Sequence, residues 1–314
     1  MLKRYFVPVI LGLMVCIAHA AYPERPLKLV IGYPAGGSVD GAARILANHM
    51  GIALGQPVVV ESRAGASGLV GAAAVAGAPA DGYTLYLGAA GTFTVTPFVS
   101  KDAALGPLKS LAPIGGVVSV TNVLLVSKAV PAKSLRELIA HAKAHPGRVT
   151  YGSSGEGSSS HLSGELLGKL SGTSLVHVPY KGAAPAMADL LGGQISMFFD
   201  VTATAQGYAK HDRINAFGVT SRTRNVAFPL LPTIAEQGYP SYEVTTWMSL
   251  FQHVGTPSAA SEKLSAVLRA IQKDPVFQQQ MREKGYDEFA LDRQQIAQRI
   301  KDESDVYSAL LKKE

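Results

Sequence analysis

The stretch LKLVIGYPAGGSVDGAARILANHM, residues 27–50, changes structural period partway along. Leu27 to Tyr33 is apolar and β-branched and reads as a strand. Ser38 to Met50 places Ile45, Leu46 and Met50 on one side of a helix. The segment between them, Tyr33-Pro34-Ala35-Gly36-Gly37-Ser38, is a glycine-rich turn. Strand, glycine loop and helix together make a βα unit, which predicts an α/β fold with a largely parallel sheet.

The same rhythm recurs outward from this unit. Strands are predicted at 57–61, 83–88, 123–126, 148–152, 175–179, 195–199 and 215–220, with helices at 38–50, 68–76, 134–145, 162–170 and 183–191. Ser134-x-x-Glu137 is a capping box that opens one of these helices. Leu231 to Tyr242, rich in Pro, Gly and Tyr, reads as a connection, and Trp247 to Val254 as an apolar extended run in which Trp247 packs at a hinge. Three helices close the chain. Asp274 caps the second, with Pro275 at its first position and Gly285 at its end. Asp292 and Gln295 open the third, which is expected to bury Ile296, Ile300, Tyr307 and Leu311. The doubled rhythm predicts two lobes, each a mostly parallel sheet flanked by helices, with a ligand cleft between them. Lobe 1 is 21–121 rejoined by 245–314, and lobe 2 is 122–244.

Composition narrows the function. Lys3 and Arg4 precede an apolar run from Tyr5 to Ala18, and Ala18-His19-Ala20 supplies small residues at a cleavage site, so residues 1–20 read as a secretory signal peptide cut after Ala20. The run is short for a span of roughly 20 apolar residues. Val15 is bulky for the position before a lipidated Cys16. Cleavage leaves 294 residues without cysteine and lowers the formal charge from +6 to +4. Disulfides and thiolate chemistry are thereby excluded, and the scattered basic residues form no nucleic-acid footprint.

Four glycine- or serine-rich segments follow predicted strands: Tyr33–Ser38, Gly88-Ala89-Ala90-Gly91-Thr92, Gly152–His161 and Tyr180-Lys181-Gly182. Ligands of open α/β sheets collect at the carboxyl ends of strands. Glycine there admits a ligand to the backbone, and the following helix start offers unpaired N–H groups to an anion. A bulky residue at Gly37 or Gly157 is expected to block that approach. The alternative is a set of ordinary tight turns.

Catalytic patterns are incomplete. Gly65-Ala66-Ser67-Gly68 has Leu69 where a GxSxG elbow needs glycine, and Gly155-x-Gly157 has Ser160 in place of the third glycine of a dinucleotide fingerprint. Gly168-Lys169-Leu170 lacks the rest of a P-loop. Ser158, Ser159 and Ser160 beside His161 leave a secreted serine hydrolase as an alternative, although a histidine in a first helical turn commonly orders its own loop. His141 and His145 lack the glutamate of a zinc motif, and no histidine group has metal-ligand spacing. Asp200, after the apolar ISMFF run, caps the next segment or faces the cleft. No cofactor or metal is expected.

In this order, several motifs resemble the Bug-type receptors of tripartite tricarboxylate transporters: Tyr22-Pro23-x-x-Pro26, Pro34-x-Gly36-Gly37-x-x-Asp40, Ala80-Asp81-Gly82-Tyr83, Tyr151-Gly152-Ser153-Ser154-Gly155-x-Gly157-Ser158-x-x-His161, His177-Val178-Pro179-Tyr180-Lys181-Gly182 and Gly255-Thr256-Pro257. The resemblance implies a type II, two-lobed periplasmic-binding-protein-like fold and a monomeric periplasmic receptor that closes on a small organic acid. Its implied partner is a two-subunit membrane permease, or a membrane kinase if it serves as a sensor. Carried over by position, the ligand loops are Tyr33, Pro34, Ala35, Gly36, Gly37 and Ser38, and Ser153, Ser154, Gly155, Gly157, Ser158 and Ser159. Asp40 and His161 match the motifs. Ala90, Gly91, Thr92, Tyr180, Lys181 and Asp200 complete the candidate site. Ala35 departs from the family in standing where a second proline is common.

Overall fold

The computed structural model describes residues 22–99 and 105–311. The signal peptide read in residues 1–20, Cys16 included, lies outside them.

Among the described residues ten strands carry the fold: β1 Leu27–Ile31, β2 Val58–Ser62, β3 Thr84–Ala89, β4 Leu111–Ser127, β5 Thr150–Ser153, β6 Val176–Pro179, β7 Met197–Val201, β8 Ile214–Val219, β9 Thr245–His253 and β10 Asp287–Glu288. The order is β2-β1-β3-β9-β4-β7-β5-β6, with β8 and β10 also paired to β4. Parallel pairing holds in two groups of three, β2-β1-β3 and β6-β5-β7. The joining strands β4 and β9 add antiparallel pairs, because both cross the molecule instead of returning through a helix.

The long β4 belongs to both sheets. As far as Thr121, opposite Thr245, it pairs with β9, and from Asn122, opposite Val201, it pairs with β7. At the change of partner Asn122 N–H donates to Thr220 Oγ1 at 2.9 Å, and Val244 N–H donates to Thr220 O at 3.0 Å. Only Val123–Val126 of this 17-residue strand is legible as a strand in the sequence. Pro113, Gly115 and Gly116 break the pattern before it, and the register shifts accordingly at 113/115 and 116/118. These irregularities let the strand bend between sheets.

Each sheet is buried on both faces, because successive side chains of a strand alternate. Leu29 and Ile31 of β1 pack with Leu46 and Met50 of the helix Ser38–Leu54, while Val30 between them packs with Ala72 and Val75 on the other face. In the second sheet Leu124 and Val126 join Leu138 and Leu166, and Val123 and Leu125 join Met187 and Leu190. The fold is α/β, with two helix-flanked sheets joined through the long β4.

The predicted caps form. Glu137 N–H donates to Ser134 Oγ at 3.2 Å, and Val276 N–H donates to Asp274 Oδ1 at 2.9 Å. Gln295 N–H reaches Asp292 Oδ1 while Asp292 N–H reaches Gln295 Oε1, both at 2.9 Å. Ile296 and Tyr307 are buried and Ile300 packs against the core; the Leu311 side chain lies outside the described residues. Trp247 is fully buried, stacked between Phe93 and Phe289, and its indole N–H is shared by the Glu303 carboxylate oxygens at 3.0 and 3.1 Å.

Candidate functional site

A cleft of about 400 Å³ opens where the ends of β1, β3, β5 and β7 meet the crossing segments. That volume lies in the usual range for a small-molecule pocket. Tyr33, Ser38 and Val39 enter it from beyond β1, and Ala89, Ala90 and Gly91 from the end of β3. Glu156, Gly157, Ser158 and Ser159 enter from the loop after β5, facing Val244, Thr245 and Met248 of the crossing.

Two helix starts therefore share one cavity. The helix Ser38–Leu54 begins after Gly37 with no side chain capping it, which leaves the first-turn N–H groups of Ser38 and Val39 open. Its entry loop is held from below. Asp40 is buried, and its Oδ2 accepts both Gly36 N–H and Arg44 Nε at 2.9 Å. Those bonds, the Arg44 one foremost, hold the Asp40 carboxyl below its ordinary range. Tyr286 Oη donates to Ser38 O at 2.5 Å from the opposite side. The second helix, Ser159–Ser171, is capped by Ser158, whose Oγ accepts His161 N–H at 3.3 Å and donates to Gly155 O at 2.6 Å. Ser159 remains directed to the cleft. Unpaired N–H groups at a helix start favour negative charge.

The sequence-predicted residues separate into two groups. Tyr33, Ser38, Ala90, Gly91, Gly157, Ser158 and Ser159 line the cavity. The others do not line it. Pro34, Ala35, Gly36 and Gly37 form an exposed turn held by Asp40. Thr92 is buried, bonding Ser67 O at 2.9 Å and the Tyr33 hydroxyl at 3.1 Å, so it positions Tyr33. Ser153 is fully buried, 2.7 Å from His177 Nε2, and Ser154 N–H donates to Ser160 Oγ at 2.9 Å. Gly155, at φ +135°, accepts from Ser158. His161 accepts Gly157 N–H on Nδ1 at 3.1 Å and stacks on His177 with ring centres 4.1 Å apart. Tyr180 donates to Asp189 at 2.7 Å, with its pKa pushed up to about 12 by burial and Asp189, and Lys181 is exposed. Asp200 is buried just before the helix Thr202–Tyr208, which no side chain caps; its carboxylate accepts Thr204 Oγ1 at 2.6 Å and Val201 N–H at 3.0 Å, and burial raises its pKa.

Several lining residues carried no motif signal. Thr94, Val95, Thr245, Met248 and Tyr307 are brought in by strand order and by the last helix. Ser67 was visible only as part of an incomplete elbow. It follows β2, sits at φ +53° and turns into the cleft. The general rule that strand ends face the ligand would have found it.

Among the described residues lining the cavity there is no Lys, Arg or His, and Glu156 is the one charged side chain. Hydroxyls, backbone N–H groups and apolar walls make up the rest. The paired helix starts suit an anion, and the apolar walls suit a carbon skeleton. Nothing here resembles a nucleophile and base: His161 Nδ1 is occupied by a backbone N–H, and the serine next to His177 is sealed from the cleft.

Two sheets sharing one long strand, with a cleft at their strand ends lined by hydroxyls, backbone N–H groups and apolar walls, define a solute-binding receptor. The chain belongs to the tripartite tricarboxylate transporter receptor family, whose model matches residues 42–314. This is a family of substrate-binding receptors, and the protein is not an enzyme. BugT of Bordetella pertussis is 35% identical over 246 residues, 78% of this chain and 76% of BugT. The Rhodopseudomonas palustris protein Rpa4515, solved with adipate, is 31% identical with a TM-score of 0.76 over 93% of this chain and 97% of its own. MatC from the same organism, with bound malate, is 27% identical with a TM-score of 0.72 over 93% of this chain and 100% of its own.

Proposed function

We propose that this receptor captures a small mono- or dicarboxylate between two lobes, 21–121 with 245–314 and 122–244, and delivers it to a membrane permease of the tripartite tricarboxylate type. One observation carries the reading: a helix start from each side of the cleft, at Ser38 and at Ser159, faces the same cavity. Hydrogen bonds to a charged group are worth roughly 1.5–3 kcal/mol each. Four or five of them supply the roughly 8 kcal/mol of a micromolar complex, so the lack of a lining cation is no obstacle. The adipate and malate carried by the two relatives support a carboxylate here as well. Tyr33, Ser38, Ala90, Gly91, Gly157, Ser158 and Ser159 are assigned to ligand contact. Asp40, Thr92, Ser153 and His161 are assigned to holding the loops.

The family's receptors are periplasmic, and no described helix is long and apolar enough to cross a membrane. We assign the same compartment to this protein, reached through cleavage after Ala20.

Isothermal titration of unfolded, ligand-stripped and refolded protein against a panel of organic acids tests the reading. Saturable binding of at least one carboxylate at micromolar or better affinity is expected. Binding confined to uncharged sugars or to metal ions would overturn it.

A further inference from the structure

Tyr307 stands on the last helix, Arg293–Leu311, far along the chain from both glycine loops. That helix starts against one sheet, where Ile296 packs with Trp247 and Phe251. It finishes against the other, where Tyr307 packs with Val95, Leu162 and Val244. The ring is a core group, 4% exposed, and a phenylalanine would fill the same space.

Packing does not account for the hydroxyl. Tyr307 Oη has no hydrogen-bond partner among the described residues, yet it is not sealed in, and the residue lines the cleft. The two neighbouring buried tyrosines differ: Tyr151 donates to Glu165, and Tyr242 donates to Ser163 O at 3.0 Å. A polar group in a largely apolar wall is stable only if something from the cavity satisfies it. Burial, with the Glu303 carboxylate nearby, pushes the Tyr307 pKa upward and keeps the group a neutral donor.

We propose that Tyr307 Oη donates a hydrogen bond to a second oxygen-bearing group of the ligand, beyond the carboxylate held at the helix starts. Tyr307 thereby selects acids with two polar termini over plain monocarboxylates of equal length. The inference rests on the carboxylate reading above and names the substrate class within it. Val95, Leu162 and Val244 around the ring offer a plain alkyl chain only contact, whereas the hydroxyl rewards an acceptor.

The test compares wild type with Tyr307→Phe, which keeps the ring and its packing. Both refolded proteins are titrated with adipate against hexanoate and with succinate against butyrate. Wild type is expected to favour the diacid of at least one pair. Tyr307→Phe should lose about tenfold in affinity for that diacid, equivalent to about 1.4 kcal/mol, and less than about twofold for its monoacid partner. Equal losses on both members of the pair, or no loss on either, overturn the assignment while leaving the carboxylate reading standing. If wild type binds no carboxylate in the wider panel, the underlying reading fails and Tyr307 fails with it.

Discussion

Replacing Gly157 by valine should cost this receptor its ligand while sparing its fold. Gly157 adopts φ +73°, and a Cβ built there would lie 3.4 Å from Val95 Cγ1 across the cleft. The left-handed backbone costs a residue with a side chain roughly 1–2 kcal/mol, and β-branched valine belongs at the upper end. The Cβ alone makes ordinary contact, so valine's two further methyls must press on Val95 or occupy the cavity. The Gly157 N–H bond to His161 Nδ1, 3.1 Å long, is disturbed as well. About 2 kcal/mol taken from the 5–15 kcal/mol of an ordinary domain leaves the protein folded. A fall in Tm of about 3 °C is expected. Affinity should drop by at least about 100-fold, because backbone approach and lobe closure are both obstructed. Gly37→Ala is the control: φ there is −81°, and the nearest atom to a new Cβ, Pro34 O, is 3.4 Å away. It should bind within about threefold of wild type. Calorimetric titration beside a thermal melt decides the matter. A folded Gly157→Val protein with wild-type affinity would refute the reasoning.

Other perturbations reach the scaffold around the cleft. Asp40→Asn weakens the carboxylate that holds both Gly36 N–H and Arg44, so a stability loss of about 1–3 kcal/mol and a larger fractional loss of affinity are expected in denaturant and binding titrations. Gly285→Ala forces a Cβ to within 2.2 Å of Ala203 Cβ at φ +77°, wedging the turn before β10 away from the helix Thr202–Tyr208. A lower Tm with intact secondary structure by circular dichroism should result, and an unchanged Tm would show that this contact yields freely. His177 has its pKa lowered, first by burial and then by neighbouring His161, so folding favours its neutral form. The unfolded chain then binds the extra proton first. Stability from this site is full above the unfolded pKa of about 6.5 and is lost as pH falls from there through the lower folded value. Urea titrations between pH 7.5 and 5 should show that decline, and His177→Asn should flatten it.

How far the sequence reaches is visible at individual residues. Ser134, Asp274 and Asp292 announced their helix starts because a cap bonds within its own turn, and the glycine loops after β1, β3 and β5 were legible from spacing alone. The first twelve residues of β4 were not, since Pro113, Gly115 and Gly116 carry the marks of a loop and become strand only through pairing with β9. Among the loop residues singled out in advance, adjacency did not predict direction. Ser158 and Ser159 face the cavity, while Ser153, a few positions earlier, turns inward to His177.

From the sequence alone came the α/β rhythm, the two-lobed plan and the expectation of an anion at strand ends. These depend on periodicities and caps that act over a few residues. Tertiary structure alone decided that, among the described residues, the cleft carries no cation, Ser67 and Thr245 share it, and Tyr307 offers a hydroxyl without a partner there. The reason is separation along the chain. Tyr33 and Tyr307 meet at one cavity because the crossing strands and the last helix bring distant segments together, and no local pattern records that encounter.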